Sequence, residues 1–281
     1  MAWEERWATP TALAAFAAVL FVIAAIVVAT QGVGSAGGDS ELLRNVEAHR
    51  SAQLISSILQ AIGISLLAVP LYYLFRSAKA RSDRMRGQLV GVVIAAPLFL
   101  GALAILGGVS TLHAASHFVG NEVPHLLAKG VKLESDHANE IATETISDAP
   151  LRPLAAGFGL GGQIGFVVAM VYTCLYAMRV GLLTRFWGSL GMALGAVSFL
   201  FFQFALLWFI YLGILLLRKD SQPPAWAAGE PIPWPTPGDK AAAAMEFSPD
   251  DNGTLPPQLE EPGDPPELEE PEDPTEAEQP R

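Results

Sequence analysis

The chain is short of charge. Only 16% of its 281 residues are Asp, Glu, Lys or Arg, against roughly 25% in soluble domains. Four stretches, 11–30, 55–75, 89–112 and 154–178, hold none at all. In water, helices of that kind would be apolar on every side, with nothing large enough to bury them. In lipid they satisfy their backbone groups internally, and about 20 apolar residues cross a hydrocarbon layer of roughly 30 Å. The same absence argues against a proton-coupled carrier, because such machines usually keep ionisable groups near the midplane. Cysteine is nearly missing too. Cys174 stands alone in an apolar run, so no intrachain disulfide forms and the thiol behaves as a small hydrophobe. HExxH and CxxC spacings, a nucleophile motif, a phosphate loop and a paired-carboxylate site are all lacking, so neither an enzymatic activity nor a cofactor is expected.

What is present points to an all-α integral membrane protein, a polytopic helical bundle over residues 1–219 followed by a disordered acidic, proline-rich tail over 220–281. From Asp220 onward there are sixteen acidic residues against Lys240 and Arg281, and fifteen of the twenty-one prolines. A segment so poor in apolar residues cannot offset its ordering entropy. The first 219 residues carry fifteen basic and twelve acidic side chains. Arg76, Lys79, Arg81, Arg84 and Arg86 form the densest basic cluster and place that turn, with the N-terminus, on the cytoplasmic side of the cell membrane. Beside a span, such a cluster is a topology signal and a contact for anionic lipid, so nucleic acid is not an expected partner.

Pro10 suits the start of the first helix. The Gly34-Ser35-Ala36 triplet offers a signal-peptidase site, but Glu4 and Glu5 before the apolar stretch, and its length, favour a retained span. Residues 186–217 fit either one long helix or a short hairpin. The hairpin keeps Arg218 and Lys219 with the other basic residues and is preferred, giving six crossings and a cytoplasmic tail, although no Gly or Pro marks a turn near Phe199–Gln203. Pro70 and Pro97 remove backbone donors and should kink their helices.

The first outer loop reads as an amphipathic lead-in over Glu41–Arg50, capped by Asp39 or Ser40. The loop over 113–153 should form two short helices, one capped by Asn121 and ended by Gly130, the other capped by Ser135. His113, His117 and His125 fall at or in this loop. The i, i+4 pair His113 and His117 shares one helical face and suggests an extracytoplasmic metal or pH-sensing site. In the fourth span, Gly157, Gly161 and Gly165 have small-xxx-small spacing, which lets another helix approach. The overlapping GxGxxG string lacks a preceding strand and is no dinucleotide site. Gln163, a lone amide in the same span, is the candidate solute contact. Trp226 and Trp234, each among prolines, suit interfacial anchors or a partner groove.

The Pro70-Leu71-Tyr72-Tyr73-Leu74-Phe75-Arg76 exit, the Gly181–Gly188 motif and the Pro-Trp segment of 223–235 together resemble uncharacterised multi-span membrane proteins of actinobacteria. That resemblance implies a bundle of about six helices over residues 3–236 and carries no assigned activity. The leading expectation is a structural or protein-interaction role, with the lipid bilayer and a second copy or another membrane protein as partners. A small-solute transporter and a metal-binding or pH-sensing protein are the alternatives.

Overall fold

The computed structural model describes residues 2–33 and 37–234. The Gly34-Ser35-Ala36 triplet and residues 235–281, most of the acidic tail, lie outside the described residues. Within them the chain is helical and without strands: α1 Ala2–Val33, α2 Asp39–Ala48, α3 Arg50–Leu66, α4 Ala68–Ala80, α5 Val90–His117, α6 Val123–Ala128, α7 Asp136–Ser147, α8 Arg152–Arg179, α9 Arg185–Val197, α10 Phe202–Leu217 and α11 Pro224–Ala228. Four stretches are long and apolar enough to cross a membrane: Trp3–Gln31, Arg50–Ala80, Gly87–Ala128 and Arg152–Arg179. Pro10 does not begin α1, which starts eight residues earlier, at Ala2; the added turns are held by Trp3 and Glu4 against α4.

These long helices alternate in direction and pack through small residues. The α1–α3 seam has Gly63 against Ala18 and Val22, with the Ser56 hydroxyl donating to the Ala25 carbonyl at 2.9 Å. Gly101 and Gly108 of α5 lie against Ser65 and Ser57 of α3. Gly162 and Gly165 of α8 lie against Leu100 and Ala96 of α5. A side chain at any of these glycines would have to push a neighbour aside.

Pro70 acts as expected. Lacking an N–H, it cannot bond the carbonyl of Leu66, and the ladder breaks there, with the Leu67 N–H reaching only to Ile64. Past the break, α4 buries Leu71, Tyr73, Leu74 and Phe75 in the bundle. Pro97, by contrast, sits within an unbroken α5.

The region 186–217 is a hairpin of two helices. Gly188, Gly191 and Gly195 of α9 meet Met178, Cys174 and Met170 of α8 in antiparallel order. Trp187 stacks on Tyr211 of α10 at 3.5 Å, and the Trp208 indole N–H donates to the Trp187 carbonyl at 3.1 Å. The turn needs neither Gly nor Pro. Leu200 and Phe201 N–H groups both bond the Val197 carbonyl, at 2.9 and 3.0 Å, and the Ser198 hydroxyl donates to Gly195 at 2.6 Å. The hairpin therefore returns the chain to the end where α1 begins, called proximal below.

At the distal end, α2, α6, α7 and the last turns of α5 enclose a second apolar cluster around Leu43, Val46, Leu112, Phe118 and Ala142. Asn121 caps nothing: α5 runs on through a π-turn at Phe118–Glu122 into α6, because Phe118 is buried in that cluster. Ser135 does cap α7, accepting the Ala138 N–H at 3.3 Å. Asp39 and Ser40 do not cap α2 through their side chains. Instead Asn139 of α7 accepts the Ser40 N–H at 3.1 Å, and the Ser40 hydroxyl donates to Leu133. Gly130, at φ 71°, ends α6 with the Val131 N–H returning to Leu126 at 3.0 Å.

The two ends differ in chemistry. The proximal end holds Arg6, Arg76, Lys79, Arg81, Arg84, Arg86, Arg179, Arg185, Arg218 and Lys219 against five acids, Glu4, Glu5, Asp83, Asp220 and Glu230. The distal end holds Arg44, Arg50, Lys129, Lys132 and Arg152 against nine acids spread from Asp39 to Asp148. Every tryptophan and tyrosine lies in the proximal half. Between the ends, large apolar side chains such as Leu20, Ile58, Leu160, Leu200 and Leu207 face outward.

Candidate functional site

The residues with the most developed polar geometry sit at the proximal end, where three distant parts of the chain meet. Glu4 comes from the first turn of α1 and Arg81 from the C-cap of α4, brought to the same level because α1 and the α3–α4 pair are antiparallel. The Arg81 side chain is 1% exposed and that of Glu4 11%. The guanidinium fork grips both carboxylate oxygens, Nη1 on Oε1 and Nη2 on Oε2, the latter at 2.9 Å. Its remaining reach is also taken up: Nη1 donates to the Ser77 carbonyl at 3.0 Å and Nε to the Ala225 carbonyl at 3.2 Å. Tyr73 donates its hydroxyl to the Glu4 carbonyl at 2.9 Å.

The third part is the segment after α10. Trp226 is buried, donates its indole N–H to the Leu182 carbonyl at 2.8 Å, and lies parallel to Tyr73, which stacks in turn on Trp3. Further along, the Ile232 N–H donates to Val180 at 3.2 Å, the Trp234 indole to Leu183 at 2.8 Å, and Arg185 to the Trp234 carbonyl at 3.1 Å. The receptor for this segment is the α8–α9 turn. Gly181 has φ 81° there, and a Cβ on it would collide with the Ile232 carbonyl oxygen. The turn ends α8 with the Leu182 N–H bonded to Ala177 at 2.8 Å, and Thr184 caps α9 by accepting from Trp187. Residues 220–234 thus belong to the folded body, a correction to a disordered tail beginning at 220. The physical reason is local: Trp226 brings apolar surface that is buried, and its indole and that of Trp234 find carbonyl partners on the α8–α9 turn. Neither tryptophan simply floats at an interface; both hydrogen-bond to one turn.

Chemically this arrangement is a clamp. Four of Arg81's five donors are spent on the protein itself, and the exposed Lys219–Glu5 pair nearby, at 2.9 Å, is of a kind worth little.

The residues singled out in the sequence are dispersed. His113 and His117 do share a distal cavity of about 500 Å³ with Glu122, Glu144 and Asp148, and His125 is not among its lining residues. Among the described residues no three His, Cys, Asp or Glu side chains come together as metal ligands. Gln163 is half-buried and makes no hydrogen bond among the described residues. Of the three glycines, Gly165 packs on α5, whereas a Cβ at Gly157 or Gly161 would meet open space. The close helix approach within the chain uses Gly162 and Gly165 instead. Sequence reasoning missed Glu4, Arg81 and Trp226 as a set. The available signal was the pair Glu4 and Glu5 just before the first apolar stretch and the basic cluster from Arg76 to Arg86 just after the second, with nothing in the spacing to match Glu4 to Arg81.

Compared with protein-family models, with curated proteins and with solved structures, the chain matches none.

Proposed function

We propose that the chain is a multi-pass protein of the cell membrane with a structural or protein-interaction role, holding its acidic C-terminal segment at the cytoplasmic face. The observation that carries this reading is the α9–α10 hairpin, which brings Trp234 back to the end that holds the N-terminus and the excess of basic side chains. Basic residues mark the cytoplasmic side, and Trp and Tyr favour the headgroup level. In this reading four helices cross the bilayer, not the six that a crossing hairpin would make. The hairpin arms, with 13 and 16 residues, reach only about 20 and 24 Å, so α9 and α10 enter and leave by one face. Three of the four backbone donors of the turn at Ser198–Phe201 are bonded within the hairpin, which suits that depth. Gly157 and Gly161 leave a small-residue face on which a second copy can pack.

Reporter fusions after Arg86, Asp148 and Trp234 test the topology. Cytoplasmic reporters at 86 and 234 with an exported one at 148 are expected. An exported reporter after Trp234 overturns the placement of the acidic segment.

A further inference from the structure

Resting on the membrane reading above, we propose that the groove between α1, α4 and α5 at the proximal end is a binding site for one anionic phospholipid. The cavity there, of about 370 Å³, is lined by Trp3, Trp7 and Thr11 of α1, by Val69, Tyr72 and Arg76 of α4 and by Ile94 of α5. Its volume lies near the lower end of small-ligand pockets, roughly 300–1,000 Å³, and suits the glycerol and first acyl segment of a lipid.

Charge complementarity names the headgroup. Arg76 stands at the proximal rim, its guanidinium 4.1 Å from the centre of the Trp3 ring and donating to the Tyr72 hydroxyl at 3.3 Å. No carboxylate pairs with it among the described residues, unlike Arg81 one turn further on. The cation is held in place by an aromatic face and a phenol, beside a lipid-facing apolar slot, with its charge uncompensated. A phosphodiester above an acyl chain meets each of these features, with the chain along Val69 and Ile94 and the phosphate on Arg76. Trp7, 46% exposed, borders the slot and reports on what fills it.

The test uses the full chain reconstituted in phosphatidylcholine vesicles containing brominated phosphatidylglycerol or brominated phosphatidylcholine. Quenching is read as the signal lost in Trp7→Phe. Flotation with the vesicles first confirms insertion; a chain that does not float refutes the membrane reading itself. In a chain that floats, phosphatidylglycerol should quench about fivefold more effectively than phosphatidylcholine, the equivalent of about 1 kcal/mol for one basic residue. Arg76→Gln should reduce the preference to near unity, and Arg84→Gln, which removes the same charge outside the groove, should retain it. Equal quenching by both lipids, equal loss in the two variants, or abolition of the preference by millimolar glycerol phosphate overturns the proposal.

Discussion

Replacing Glu4 by Gln removes one partner of a buried ion pair and leaves the other charged. Arg81 cannot discharge by losing its proton, so a guanidinium that is 1% exposed would face a neutral amide. Breaking a buried pair from one side costs about 3–5 kcal/mol. Glu4→Gln should fall within that range, since Ser77 and Ala225 carbonyls still accept from Arg81 and Gln retains one acceptor oxygen. Arg81→Met should cost somewhat less on the carboxylate side, because Glu4 can take up a proton, but it also loses the bond to Ala225 that fastens α11. The double variant, Glu4→Gln with Arg81→Met, removes both charges and fills the space with an unbranched side chain. It should recover most of the loss and end within about 2 kcal/mol of the parent, because uncharged replacements of buried pairs are often tolerated. Unfolding free energies of the four proteins in one detergent, assembled as a double-mutant cycle, measure the coupling. A coupling of at least about 2 kcal/mol is expected from the 3–5 kcal/mol range. Additive single effects, each under about 1 kcal/mol, match a solvent-exposed pair and would refute the reasoning.

Two further outcomes follow from the same packing. Trp226→Ala deletes a buried indole with a 2.8 Å hydrogen bond; a loss of about 3–5 kcal/mol is expected, and limited proteolysis should cut between Leu217 and Trp234 much faster than in the parent. Gly191→Leu should destabilise by several kcal/mol or prevent folding, since its Cβ would come within 2.6 Å of both Cys174 Sγ and Trp208 Nε1; Gly161→Leu should melt like the parent yet weaken cross-linking between copies, and unchanged cross-linking discards that face as a self-association surface.

Much of the helical layout was legible in the residues alone. The uncharged runs at 11–30, 89–112 and 154–178 correspond to α1, α5 and α8 because a helix that is apolar on all sides leaves a signal at every position. The break at Pro70 and the caps at Ser135 and Gly130 were legible for a similar reason: each depends on a missing donor, a hydroxyl three residues from an amide, or a positive φ, all local properties. Over 186–217 charge placement was the guide the sequence offered, and the structure has antiparallel α9 and α10 there.

The clamp was not legible, nor was the docking of residues 220–234 on the folded body. Glu4, Arg81 and Trp226 are far apart along the chain, and each by itself reads as an ordinary interfacial residue. The glycine face failed for a related reason: spacing identifies every small-residue stripe, but only the facing helix decides that Gly162 is covered and Gly161 is bare.

The amino-acid sequence by itself determined which segments form helices long and apolar enough to cross a membrane, because hydropathy and backbone chemistry act within one or two turns. The tertiary structure alone decided which charge is buried with which, where the C-terminal segment docks, and where a groove is left open. Those outcomes depend on the levels at which antiparallel helices bring their side chains together, and that alignment is set by packing across the bundle.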